Sequence, residues 1–142
     1  MEPRDFHTTA EFLKDFSEEP HIRTSISRSY YGVFLYFRDF LAKNGLTKKK
    51  NKKCDVHAFI KNCLQFCQVR EGNIAAVHIN NLAQWRTDAD YDLDKTFLNT
   101  DSRAQFNDAK QVIENFERDI TSEKTKKILK FATDHAKWKG WI

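Results

Sequence analysis

Across residues 21–44, apolar side chains recur at the spacing of one helical face: Ile22, Ile26, Tyr30, Val33, Phe34, Phe37, Phe40 and Leu41. Pro20 stands before the run and Gly45 after it, where a helix starts and stops. A helix this long gains most of its stability by laying such a stripe on other elements. The rest of the chain offers helices for that purpose. Only 4 Gly and 2 Pro occur in 142 residues, so tight turns are scarce. No segment combines strand alternation with a hairpin turn. A weaker second stripe of Arg28, Tyr31, Leu35 and Ala42 lies on the far side of the same helix. It predicts a helix that is central in its bundle or that also faces a partner.

Four further helices are predicted, over residues 8–17, 55–67, 72–92 and 101–137. Thr8 or Thr9 offers a cap for the first. The run Thr121, Ser122, Glu123, Lys124 offers a second cap that would break the last one. The fold expected is therefore all-α: an up-down bundle of four to five helices in one domain covering residues 1–142.

Composition bounds the function classes. Hydrophobic residues at 40% and charged residues at 31% describe a globular chain. No apolar run approaches the ~20 residues that span a bilayer, so no membrane role and a cytoplasmic location are expected. Three cysteines, Cys54, Cys63 and Cys67, have no second Cys/His pair at zinc-finger spacing. They read as reduced core thiols, and neither a metal nor a cofactor is expected. The net charge of +4 suits RNA or an acidic partner but requires neither. Its densest part is a run holding Lys48, Lys49, Lys50, Lys52 and Lys53. Adjacent like charges repel, so this segment is a loop, either simply solvated or attracting RNA phosphates.

The fourth helix carries the sharpest anomaly. At about 100° per residue with Ile74 at zero, its apolar residues fill an arc from about 300° to about 140°. Arg86 falls inside that arc, at about 120°, and Asp90 at its edge, at about 160°. Burying a charge without a partner is costly, and residues four apart on a helix can pair. Spacing alone leaves two readings: a structural ion pair, or a site in which the guanidinium faces phosphate. Tyr91 points about 140° away from Arg86 and need not share its surroundings. His78 also falls on the arc and reads as a core histidine with its polar atoms satisfied.

Two runs resemble the HEPN superfamily. One is S-I-S-R-S-Y-Y-G-V-F, Ser25 to Phe34; the other is R-T-D-A-D-Y, Arg86 to Tyr91. Together they are similar to the S-R-x-Y-Y-A-x-F helix and the later R-x-x-A-D-Y of small prokaryotic members. His57 stands where many of those proteins have a histidine. The resemblance implies a homodimer with the motif arginine in a cleft at or near the dimer interface. It implies roles in RNA cleavage, toxin–antitoxin pairs and phage defence, with a nucleotidyltransferase antitoxin as a possible partner. In the catalytic branch, a His four to six residues after the Arg acts on the ribose 2′-hydroxyl. The Arg stabilises the phosphorane, without metal.

This chain departs from that pattern, because no His follows Arg86 in range. By the resemblance the catalytic candidates are Arg86, Asp90, Tyr91 and His57. Lys48, Lys49, Lys50, Lys52 and Lys53 would draw in RNA. A phenol is a poor base at neutral pH but can donate a proton. Two functions are expected: a metal-independent endoribonuclease, or a non-catalytic HEPN module that binds nucleotide, RNA or a protein partner.

Overall fold

The computed structural model describes residues 1–142. It is all-helical, with α1 (Asp5–Leu13), α2 (Glu19–Lys43), α3 (Val56–Gln65), α4 (Arg70–Tyr91), α5 (Asn99–Asp119) and α6 (Ser122–Trp138). There are six helices rather than four or five, because the last segment divides. Thr121 takes an extended backbone and its side chain accepts from the Lys124 N–H, capping α6 at the expected break. Asp55 caps α3 in the same way, accepting from the His57 N–H. Gly45, at φ 87°, ends the turn after α2. The first helix differs from expectation. It starts three residues before Thr8, with Asp5 in its first turn and no side-chain cap. The lysine-rich run from Thr47 to Lys53 forms no helix.

The chain forms two compact units. Unit 1 holds residues 1–36 and 78–114; unit 2 holds residues 37–77 and 115–142. The helices α2, α4 and α5 each contribute to both.

In unit 1 the α2 stripe of Ile22, Ile26, Tyr30, Val33 and Phe34 is buried. Ile22 and Ile26 cluster with Ala89 of α4 and with Phe97, and Ile79 and Leu82 of α4 and Phe106, Ala109 and Ile113 of α5 are buried as well. Hydroxyls and one imidazole fasten α1. Ser25 Oγ donates to the Ala10 carbonyl at 2.7 Å, and Ser102 Oγ to the Lys14 carbonyl at 2.7 Å. The Lys14 carbonyl stands at the end of α1, where intrahelical donors run out, whereas the Ala10 carbonyl accepts from the Lys14 N–H as well. His7 Nε2 lies 3.0 Å from the Ser29 carbonyl. A carbonyl only accepts, so Nε2 carries the proton. The His7 ring fills the space above Gly32, where a Cβ would come within 2.1 Å of it. Gly32 stands where the S-R-x-Y-Y-A-x-F pattern has alanine, and the imidazole is what makes glycine necessary here.

In unit 2 the α2 residues Phe37 and Leu41 are buried with Phe59, Ile60, Cys63 and Leu64 of α3. Ile128, Ala132 and Ala136 of α6 are buried as well. Phe116 meets Phe37 and Phe40 edge-on, at 4.9 and 5.1 Å between ring centres. All three thiols are unbridged, but the core reading holds only for Cys63 and Cys67, which are buried; Cys54, at the end of the lysine-rich loop, is only partly buried. Burial pushes Cys63 up to about 12, so it stays protonated and unreactive. Lys124 Nζ reaches Glu71 at 2.7 Å and ties α6 to the start of α4.

Candidate functional site

The face that α4 buries is narrower than its apolar arc. Ala75, Ile79, Leu82 and Ala89 are buried, whereas Ile74 and Val77 are 40% and 59% exposed. With Ala76, which is buried too, the buried residues span about 60° to about 200° on the helical wheel, so Arg86, at about 120°, lies near the centre of the buried face. Its side chain is 20% exposed. A guanidinium so placed must be compensated, and the structure shows by what.

Arg86 Nε stands 2.9 Å from Asp90 Oδ2. The N–H is not aligned on that oxygen, so this is an ion contact rather than a directed hydrogen bond. Arg86 Nη2 donates to the Tyr31 hydroxyl at 2.7 Å. The guanidinium carbon sits 5.1 Å from the centre of the Tyr31 ring and 5.6 Å from that of Tyr91. Tyr91 therefore does share the surroundings of Arg86. It closes the helix and its ring is mostly exposed.

A second arginine faces the same tyrosine. The Arg28 guanidinium carbon is 5.0 Å from the Tyr31 ring centre and 5.3 Å from that of Phe6 on α1. Arg28 Nη2 donates weakly to Ser27 Oγ at 3.4 Å, and Ser27 donates to Asp90 Oδ2 at 3.3 Å. Arg28 Nε is buried with no hydrogen-bond partner. Two permanent cations thus lie by one phenol ring, with Asp90 in ion contact with Arg86 and linked to Arg28 only through Ser27 Oγ. A cation held over a ring face is attracted to it, which lets both guanidiniums stay close without a second carboxylate. The excess positive charge suits an anion that presents two oxygens, and the remaining guanidinium N–H groups suit phosphate in particular. A hydroxyl that accepts from a guanidinium can still donate its own proton.

The end of α4 that carries Asp90 and Tyr91 is held by Arg23, whose side chain is 13% exposed. Arg23 Nη1 donates to the carbonyls of Ala89 at 3.0 Å and Asp92 at 2.8 Å, while Nη2 pairs with Glu19 at 2.8 Å. A cation on the last carbonyls also suits the negative end of the helix. Lys95 adds a clamp: it bonds Asp88 at 3.0 Å and lies over the Trp85 and Phe97 rings.

The remaining candidates lie elsewhere. His57 is on the first turn of α3 in unit 2, whereas the contacts of Arg86 all come from unit 1. Lys48, Lys49, Lys50, Lys52 and Lys53 also belong to unit 2, and none of them is in an ion pair. His78 is half-exposed and bound through Nδ1 to Asp108 on α5 at 2.9 Å, a satisfied histidine. Sequence reasoning missed Arg28, Tyr31 and Arg23 as parts of one constellation with Arg86. The signal available was the second stripe of α2, which already held Arg28 and Tyr31. No family model matches this chain, and no curated protein or solved structure matches it, so the role of the Arg86 group has to be inferred from its own chemistry.

Proposed function

We propose that the protein is an RNA-directed, HEPN-type module that acts as a homodimer and seats a phosphodiester on Arg28 and Arg86. The observation that carries this reading is the sharing of Tyr31 by two guanidiniums, one of them set into the apolar face of α4. A structural ion pair needs Asp90 and Arg86 only; it leaves Arg28 and the exposed ring of Tyr91 without a purpose. The lysine loop adds a sequence-independent attraction for RNA.

In the catalytic form of the proposal the protein is a metal-independent endoribonuclease, a toxin or defence effector. The ribose 2′-oxygen attacks phosphorus, the P–O5′ bond breaks, and a cyclic phosphate forms. Arg86 stabilises the charge that grows on the phosphorane oxygens. Tyr31 or Tyr91 gives a proton to the leaving 5′-oxygen, and Asp90 orients Arg86 and accepts the 2′ proton. A second reading, a binding module without chemistry, is favoured by one observation: the side chains that hold Arg86 include no imidazole. Its partner would be RNA, a nucleotide or a nucleotidyltransferase antitoxin.

Incubating purified protein with RNA in EDTA separates the two forms. Cleavage that Arg86→Ala abolishes supports the nuclease. Binding without product supports the module, and neither binding nor cleavage removes the RNA-directed reading. Light scattering after size exclusion tests the dimer, and a monomer at micromolar concentration would count against it.

A further inference from the structure

The net charge of +4 is divided unequally. Unit 2 carries sixteen Lys and Arg against seven Asp and Glu, a formal charge of +9; unit 1 carries eight against thirteen, a charge of −5. The basic unit also exposes aromatic rings. Trp138 is 77% exposed at the end of α6, and Phe66 is 44% exposed after α3. His135 joins them: its ring stacks on Phe66 at 4.3 Å between centres, lies 5.8 Å from Trp138 and meets Trp141 edge-on at 5.7 Å.

The lysine loop is fastened to this aromatic group. Helix α6 ends in a reversal at Gly140, φ 71°, with the Trp141 N–H donating to the Ala136 carbonyl at 2.8 Å and the Gly140 N–H to Lys137 at 2.9 Å. The reversal turns Trp141 back against Phe59 and His135. The Trp141 carbonyl then accepts from the Lys49 backbone N–H at 3.3 Å. Five lysines without an ion pair are thereby tethered beside a set of rings, and Lys139 Nζ stands 5.0 Å from the Trp138 ring centre.

From this juxtaposition we infer that unit 2 binds single-stranded RNA, with bases stacking on Trp138 and its neighbouring rings and phosphates following the Lys48–Lys53 loop and Lys139. The inference rests on the RNA-directed reading above and adds the form of the RNA and the residues that distinguish it. Charge alone would accept any polyanion. An exposed indole among lysines favours a strand whose bases offer free π-faces, because a duplex keeps those faces in its own stack. An acidic protein would also satisfy the lysines, and competition by an acidic polypeptide distinguishes it.

The test uses the full-length protein, a short labelled single-stranded RNA of mixed sequence, and the same RNA annealed to its complement. Anisotropy reports affinity, and quenching of tryptophan emission reports stacking. The single strand should bind more tightly than the duplex. Trp138→Ala should weaken single-strand binding by about tenfold and lose most of the quenching. Trp138→Phe should recover most of the affinity. Trp138 is exposed at a helix end, so both variants should keep the wild-type circular dichroism. RNA binding by the wild type that is unchanged in Trp138→Ala overturns the inference and leaves the RNA-directed reading standing. Equal affinity for duplex, or equal competition by polyglutamate, also overturns it, because charge alone would then be recognised. Failure of the wild type to bind either RNA at low salt removes the reading and the inference together.

Discussion

The two units handle charge in opposite ways. In unit 1 four cations are tied to fixed partners: Arg23 is bonded to Glu19 and to the end of α4, Arg86 to Asp90 and Tyr31, Lys95 to Asp88, and Arg103 to Asp15. Each is fixed by partners, and acids outnumber bases. In unit 2 the loop lysines make no ion pair, and rings are exposed beside them. Fixed guanidiniums give geometry; free lysines give attraction that salt weakens. The contrast teaches that an overall charge of +4 describes neither unit.

That division can be broken by experiment. The largest effect is expected from Arg86→Ala. If the nuclease form holds, cleavage should fall by about a hundred- to a thousandfold, the usual consequence of losing a donor to transition-state charge. The slope of log K against log salt should change by no more than the roughly 0.7 that one phosphate contact contributes, and a larger loss would mean that Arg86 gathers RNA as well. Next comes replacement of Lys48, Lys49, Lys50, Lys52 and Lys53 by Gln. Each phosphate that is no longer neutralised should flatten the slope of log K against log salt by about 0.7. A slope unchanged by five neutralised lysines would show that unit 2 does not gather the ligand.

Arg23→Ala should destabilise the protein by about 2–3 kcal/mol in a denaturant titration, because it strips hydrogen bonds from the end of α4 and leaves carbonyls unsatisfied. It should also lower any activity of the Arg86 group, since Asp90 and Tyr91 ride on that end. A stable, fully active variant would separate the helix end from the site. The smallest effect concerns pH. Burial holds His7 in unit 1 and, together with Lys139, His135 in unit 2 below the ordinary value of 6.5. The unfolded chain therefore takes up protons before the folded one. The stability due to the neutral imidazoles is complete above pH 6.5 and is lost as pH falls through the folded values. Melting temperatures should drop modestly from pH 7 to pH 5, and His7→Gln should lessen the drop. A flat profile would contradict the burial argument.

Much of the fold was legible because it depends on local periodicity. The stripe of α2, the break at Thr121 and the start of the third helix near residue 55 are all properties of neighbouring residues. The start of α1 was not legible, because threonines that look like caps lie inside a helix that begins at Asp5. The place of Arg86 on a buried face could be read from helical angles, and so could its pairing with Asp90, four residues on. The partnership with Tyr31 could not, since the two residues are 55 apart in sequence. Tyr91 illustrates the limit of angles alone: a ring about 140° round the helix still reaches the guanidinium, because the side chains are long and the helix ends there.

Local chemistry, then, settled that the chain is helical, where its stripes run, and that one arginine stands on an apolar face. Which side chains compensate that arginine was decided only by packing. A helix fixes the neighbours at three and four residues, whereas the residues facing it from other helices depend on how those helices pack. The same holds for charge. The sequence carries 24 bases and 20 acids mixed along its length, and only folding sorted them into an acidic unit around Arg86 and a basic one around Trp138.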